Sequence, residues 1–110
     1  MARASLETLT EQMFYILLCL HEECHGIEIM ERIKDITEER IVVGPGTLYH
    51  LLDRFCKEKL ITETRVDGRK RYYQIAEAGQ TMLQEEMKRL RRQLHDYDQY
   101  LTKGERSHEE

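Results

Sequence analysis

The apolar residues in the middle of this chain change period once, and that change limits the fold more than any other feature. Leu48, Leu51, Leu52 and Phe55 recur on one side of a helix turning at about 100° per residue. Beyond residue 60, "LITETRV" and "KRYYQIA" alternate with a period of two around "DGR", whose Asp-Gly pair is a hairpin signal. A helix thus runs almost directly into a two-stranded loop, and the turn of that loop gathers Arg69, Lys70 and Arg71.

Upstream, "LTEQMFYILLCLHEE" (residues 9–23) is apolar nearly all round at Met13, Phe14, Ile16, Leu17, Leu18 and Leu20, which predicts a helix buried on several sides. "IEIMERIKDITEE" follows with Ile29, Ile33 and Ile36 on one face, an amphipathic helix. "RIVVG" (residues 40–44) is a short β-branched run and predicts a strand. Then comes "GPGTLYH". Pro45 is a start signal, because the first helical residue needs no N–H and the proline φ suits helix entry. Gly46 and Thr47 fall in the first turn, where unpaired N–H groups and the positive dipole end suit phosphate oxygens. A tight helix entry with no ligand is the other reading. Opposite the leucine face run Gly46, His50, Asp53 and Lys57, flanked by Tyr49 and Arg54. Such a mixture of donors and acceptors suits base edges in a major groove, although Asp53 and Lys57 also stand at ion-pair spacing.

Charge is distributed in the same sense. The formal net charge is −4, yet residues 41–76 hold seven basic and four acidic side chains, a surplus of +3, which leaves −7 on the remainder. Phosphate binding depends on local rather than total charge, so the basic middle predicts an electrostatic footprint; a solvated charged face is the alternative. The 110 residues form one modest core. No apolar run reaches the roughly 20 residues of a membrane span and no secretory leader is visible, so a cytoplasmic location without membrane contact is expected. Three irregularly spaced cysteines, Cys19, Cys24 and Cys56, fit reduced thiols.

Two helices joined by a connection and followed by a basic-tipped hairpin predict a winged helix-turn-helix, mainly α with a small β-hairpin wing. "HGIEIMERI", "GPGTLYHLLDRFCKEKLI" and "GRKRYYQIAEAG" together resemble PadR-type transcriptional regulators over roughly residues 9–90. By that resemblance His25 and Gly26 open the second helix, Gly46, Thr47 and Tyr49 open the recognition helix, and Arg69, Lys70 and Arg71 form the wing. Ile27 stands where the family has tyrosine, His50 where it has proline and Ala76 where it has threonine. The resemblance implies a dimeric repressor of double-stranded DNA. It implies also a small hydrophobic or phenolic effector or a stress signal acting at the dimer interface, and the residues name no such molecule.

The last helix is expected to supply the dimer. Leu83, Met87, Leu90, Leu94, Tyr97 and Leu101 follow one another at spacings alternating four and three, the a/d seam of a coiled coil. Packing on the chain's own first helix is the alternative. The expected organisation is a winged helix-turn-helix over residues 1–76, a C-terminal dimerisation helix over 77–101 and a frayed tail over 102–110, which lacks apolar anchors. His21, Cys24 and His25 cluster within five residues, but a closed zinc site needs four ligands, so no metal and no cofactor are expected. No catalytic constellation is visible and no catalytic residue is assigned. The expected interface comprises His25, Gly46, Thr47, Tyr49, His50, Arg54, Lys57, Arg69, Lys70 and Arg71. A winged-helix module that binds another protein remains the second functional class.

Overall fold

The computed structural model describes residues 8–109, and the side chains of residues 8–103. Four helices and three short strands follow in the order α1 (Glu11–Cys19), β1 (Cys24–His25), α2 (Gly26–Ile36), α3 (Pro45–Lys57), β2 (Ile61–Asp67), β3 (Lys70–Ile75) and α4 (Glu77–Glu109). Thr10 caps α1 by accepting from Met13 N–H at 3.2 Å. Ile16, Leu17 and Leu20 are fully buried, while Phe14 and Tyr15 are only partly covered and Leu18 lies at the surface. The core closes where these side chains meet Ile29 and Ile33 of α2, Leu48, Leu52 and Phe55 of α3, and Ile61, Tyr73 and Ile75 of the sheet.

The expected hairpin forms, and a strand the periodicity did not reveal joins it. The sheet order is β1-β3-β2, antiparallel throughout, with Cys24 opposite Tyr73 and His25 opposite Tyr72. The hairpin turns on Gly68 and Arg69, one residue later than the Asp-Gly signal suggests. In the β2 ladder the register is interrupted between Glu63 and Arg65, so that Glu63 stands opposite Tyr73 and Arg65 opposite Tyr72. Neighbouring residues of a strand point to opposite faces. The irregularity therefore places Glu63 and Arg65 on different sides of the sheet, where a straight strand would place them together.

"RIVVG" is not a strand. Residues 41–44 run as an irregular connection in which Val43 is buried and Ile41 packs against the core. The run gains its burial through side chains, and Ile41 N–H donates to Thr37 Oγ1 at 3.1 Å in place of a ladder partner. Thr37 is itself buried and donates to the Ile33 carbonyl at 2.7 Å, so one hydroxyl closes both ends of this turn.

The connection after α3 ends the helix with a non-glycine residue in the left-handed region. Lys59 has φ 62°. Leu60 N–H donates to Phe55 C=O at 2.9 Å and Lys59 N–H to Cys56 C=O at 3.0 Å, the paired bonds of a Schellman motif. That conformation is strained for an L-residue with a Cβ. Lys59→Gly is expected to raise stability by about 0.5–1 kcal/mol, seen as a higher urea midpoint with an unchanged slope; an equal or lower midpoint would show that the turn carries no such strain.

Helix α4 begins against the core and then leaves it. Met82 and Leu83 are buried, and Glu86, buried among them, makes a two-bond pair with Arg89 along the helix. Leu83 thus belongs to the chain's own core, and Met87 is half-buried. From residue 90 to 103 every side chain is exposed, including Leu90, Leu94, Tyr97 and Leu101 of the seam. The backbone stays helical to Glu109, so the segment expected to fray from residue 102 continues the helix, and side chains beyond Lys103 lie outside the described residues. Extending an existing helix costs no new nucleus, which is why a lack of apolar anchors does not end it. No helix among the described residues is long and apolar enough to cross a membrane.

Candidate nucleic-acid interface

The start of α3 and the tip of the hairpin border one cleft. Its volume is about 670 Å³, and its lining draws His25, Gly26 and Ile27 from the start of α2, Tyr49, Asp53 and Cys56 from α3, and Glu63, Arg69, Lys70, Arg71 and Tyr73 from the sheet. Of the polar stripe expected on α3, Asp53 lines this cleft, beside Tyr49 and Cys56. Gly46, Thr47, His50, Asp53 and Lys57 are all exposed, while Leu48, Leu51, Leu52 and Phe55 are buried behind them. A Cβ on Gly46 would meet nothing within 4 Å, so the first turn of α3 is open to an approaching molecule. Its N–H groups follow Pro45 at the first helical position and Gly44 at the cap, where no side chain bonds to them.

The two helices of the pair are keyed by Tyr49. A Cβ built on Gly26 would fall 2.5 Å from Tyr49 Oη and 2.9 Å from its Cζ, so a side chain there would require the tyrosine ring to move. Tyr49 is half exposed, and its ring occupies the space that any larger residue at the head of α2 would need. Gly26 thus gives the Tyr49 ring of α3 its place against the head of α2. His25 beside it is the N-cap of α2; its N–H donates to Glu28 Oε1 at 3.1 Å, and its ring stands edge-on to Tyr72 with centroids 5.2 Å apart. The His25 side chain is only 12% exposed, so it reaches the cleft as part of the wall.

Ion pairing changes which cations face outward. Of the seven basic side chains between residues 41 and 76, Arg54 is paired with Glu58, Lys57 with Asp53, Arg71 with Glu63 and Arg65 with Glu23. Arg54 is half-buried, its Nε 3.3 Å from Glu58 Oε2 along its own helix, whereas the Lys57 pair at 3.1 Å is exposed on both partners. Exposed pairs of this kind are weak and exchange readily for other partners. Among the described residues no ion pair engages Lys59, Arg69 or Lys70, and two of these three form the wing tip.

The back of the wing carries a constellation that the sequence does not announce. Glu23, in the loop before β1, accepts from the Thr64 hydroxyl and from Arg65 Nε, the latter at 3.2 Å. These two bonds, Thr64 first, hold the Glu23 carboxyl below the usual carboxylate range. The Arg65 guanidinium lies 3.7 Å above the centre of the Tyr72 ring. Glu23 stands 41 residues from Thr64 and 42 from Arg65 along the chain; the only sequence signal is an arginine four residues beyond the start of the alternating strand, which reads equally well as a phosphate contact.

The cysteine and histidine cluster disperses on folding. Cys24 is fully buried with its Sγ 3.8 Å from the Cys19 carbonyl, and burial pushes its thiol up to about 11. His21 places Nδ1 2.9 Å from the Leu18 carbonyl, and His25 faces Tyr72. Burial also raises the thiols of Cys19 and Cys56, and all three cysteines are free. Among the described residues no group of three or more His, Cys, Asp and Glu side chains is placed to hold a metal ion.

Comparison with known proteins agrees with this fold. The transcriptional regulator PadR-like family matches residues 16–85. The chain is 30% identical over 64 residues to the transcriptional regulator YqjI of Escherichia coli, a match that takes in 58% of this chain and 31% of that longer protein. The fold is similar to that of a transcriptional regulator from Clostridium thermocellum, with a TM-score of 0.69 at 23% identity over 79% of this chain and 89% of the other. It is similar also to a PadR-like transcription factor from Bacteroides fragilis, with a TM-score of 0.65 at 25% identity over 90% and 91%.

Proposed function

The chain belongs to the PadR-like family of transcriptional regulators, which are not enzymes, and from that premise we propose that it is a dimeric repressor that binds a palindromic DNA operator. One observation carries the reading: Asp53 of the exposed polar stripe of α3, the neighbouring Tyr49, and Arg69 and Lys70 of the wing tip line the same cleft. A duplex seated there would place His50, Asp53 and Lys57 at base edges in the major groove and Gly46, Thr47 and Tyr49 against the backbone. Arg69 and Lys70 would follow the adjacent phosphates or enter the minor groove. Asp53 fits this role as an acceptor for an amino group of cytosine or adenine, and its carboxylate discourages binding to phosphate alone.

The exposed seam of α4 supports the dimer, because Leu90, Leu94, Tyr97 and Leu101 are left exposed among the described residues. Two recognition helices related by a two-fold axis would meet half-sites about 34 Å apart, one helical turn of DNA. An effector acting at that seam belongs to the same reading, since anything that shifts the two α4 helices shifts the spacing of the recognition helices.

Selection of bound duplexes from a random pool tests the reading directly and is expected to yield an inverted repeat. Against the selected duplex, Arg69→Ala with Lys70→Ala should weaken binding to all sequences alike and lower the salt slope by about 0.9 for each lost phosphate contact. Binding that is insensitive to salt and to these substitutions would instead indicate a protein-binding module.

A further inference from the structure

The wing of a DNA-binding hairpin works only if its tip is aimed. Here the two strands that carry the tip meet the core only through Ile61, Tyr73 and Ile75, away from the tip, and β2 is exposed from Thr62 onward. Beyond Tyr73, the tip-bearing end of β3 contributes Lys70 and Arg71, both exposed, and Tyr72, half-buried. An isolated two-stranded ribbon is marginal in water, so something other than the core must fix its direction.

We infer that Glu23 is the residue that aims the wing: lying outside the hairpin, it latches β2 at its register irregularity and holds the Arg65 guanidinium over Tyr72. The inference deepens the DNA-binding reading above and rests on it for its functional arm. Three features converge on this carboxylate. It accepts from the Thr64 hydroxyl, and Thr64 is the residue left over where the register slips between Glu63 and Arg65. It accepts also from Arg65, which the same slip turns to the Tyr72 side of the sheet. The backbone next to Glu23 is β1, whose His25 pairs with Tyr72 from the other edge of β3 and sets its ring edge-on to that tyrosine. His25, Tyr72 and Arg65 thus form a row across all three strands, and Glu23 ties its far end back to the loop from which β1 starts.

This latch has a consequence opposite in sign to ordinary electrostatics. Glu23 adds a negative charge to a protein that must approach phosphates, and it occupies an arginine. Removing it should therefore strengthen binding and steepen the salt dependence if charge alone matters. If Glu23 aims the wing, removing it should release the tip and cost the contacts of Arg69 and Lys70, although the protein becomes more positive. Glu23 is a positioning residue in this account, since no part of it faces the cleft.

Glu23→Ala and Glu23→Gln, made in the full chain, test it with two readouts. Binding to the selected duplex is titrated at several salt concentrations, and amide hydrogen exchange is followed at the wing tip, residues 66–71, and in α1 to α3. The expected result for Glu23→Ala is a fall in affinity of roughly tenfold, a salt slope lower by about 0.9 to 1.8, corresponding to one or two lost phosphate contacts, and faster exchange confined to the tip. Glu23→Gln, which keeps an acceptor for Thr64 and loses the ion pair, should lie between. In a chain already carrying Arg69→Ala and Lys70→Ala, Glu23→Ala should cost nothing further. Tighter binding with a steeper slope would overturn the latch in favour of simple repulsion. An unchanged slope with exchange accelerated throughout α1 to α3 would overturn it in favour of general destabilisation. If the parent chain binds no duplex, the DNA reading fails, and exchange at the tip alone still decides whether Glu23 holds the wing.

Discussion

Gly79→Ala is expected to lower the unfolding midpoint even though alanine is the better helix former. The first turn of α4 passes so close to the residue before β2 and to the end of β3 that a Cβ on Gly79 would overlap the Leu60 carbonyl oxygen and stand 2.8 Å from Ile75 Cγ1. Neither neighbour can give way cheaply. The Leu60 carbonyl accepts from Ala76 N–H at 2.9 Å, and Leu60 and Ile75 are both buried in the core. Ile75 N–H in turn donates to Leu20 C=O at 2.7 Å, so the strand cannot slide without losing a bond to the end of α1. Forcing a methyl into such a site costs about 1–3 kcal/mol or more, against an intrinsic gain of about 1 kcal/mol for replacing a mid-helix glycine. The overlap is with backbone, which relaxes least, so the cost should win by about 1–2 kcal/mol, or roughly 4–10 °C for a domain of this size. A thermal or urea melt checks the sign. A midpoint equal to or above that of the parent would mean that α4 can lift from the sheet without loss.

This position shows what kind of information the sequence carries and what kind it withholds. The buried face of α3 and the hairpin were legible because each repeats locally: Leu48, Leu52 and Phe55 recur at helical spacing, and Tyr73 and Ile75 alternate on a strand. Pro45 was legible for the same reason, since helix entry is a property of adjacent residues. Packing of one segment against another was not. Gly79 could be read as belonging to a familiar pattern, but its physical reason lies in the Leu60 carbonyl nineteen residues earlier. Gly26 likewise owes its size to Tyr49, and Arg65 owes its direction to Glu23 and a slip in register.

The one wrong element has the same origin. "RIVVG" has the composition of a strand, and composition reports only that its side chains prefer burial on a pleated surface. Val43 is buried in the core from a connection, and Thr37 supplies Ile41 N–H with the hydrogen bond a neighbouring strand would have made. Two residues of β1, conversely, are too few to alternate, and they become a strand because β3 offers an edge. Charge was legible only in part. Counting basic residues locates a basic segment, and folding then commits Arg65 to Glu23 at the back of the sheet and places Arg69 and Lys70 in the cleft, with no ion pair among the described residues.

The seam of α4 yields the largest expected change in assembly. Leu90→Glu together with Leu94→Glu should convert a dimer to monomer while leaving the winged domain folded. The two leucines lie beyond the part of α4 that the chain itself covers: Met82 and Leu83 are 5% exposed, whereas Leu90 is 39% and Leu94 61% exposed. The substitutions therefore remove nothing from the core of one chain. In a symmetric seam each would face its own copy or its neighbour's, so that four carboxylates would be desolvated with no cation opposite. Breaking apolar contact and burying unpaired charge in one place costs several kcal/mol, and each 1.4 kcal/mol is about tenfold in dissociation constant. Sedimentation should then report a monomer whose melting of the winged domain is close to the parent's, and binding to a two-half-site operator should fall much more than binding to a single half-site. If α4 instead folded back on α1, the same substitutions would destabilise the monomer and leave its mass unchanged. Sedimentation and melting measured together distinguish the two, and a stable dimer that survives both glutamates would place the interface elsewhere on the chain.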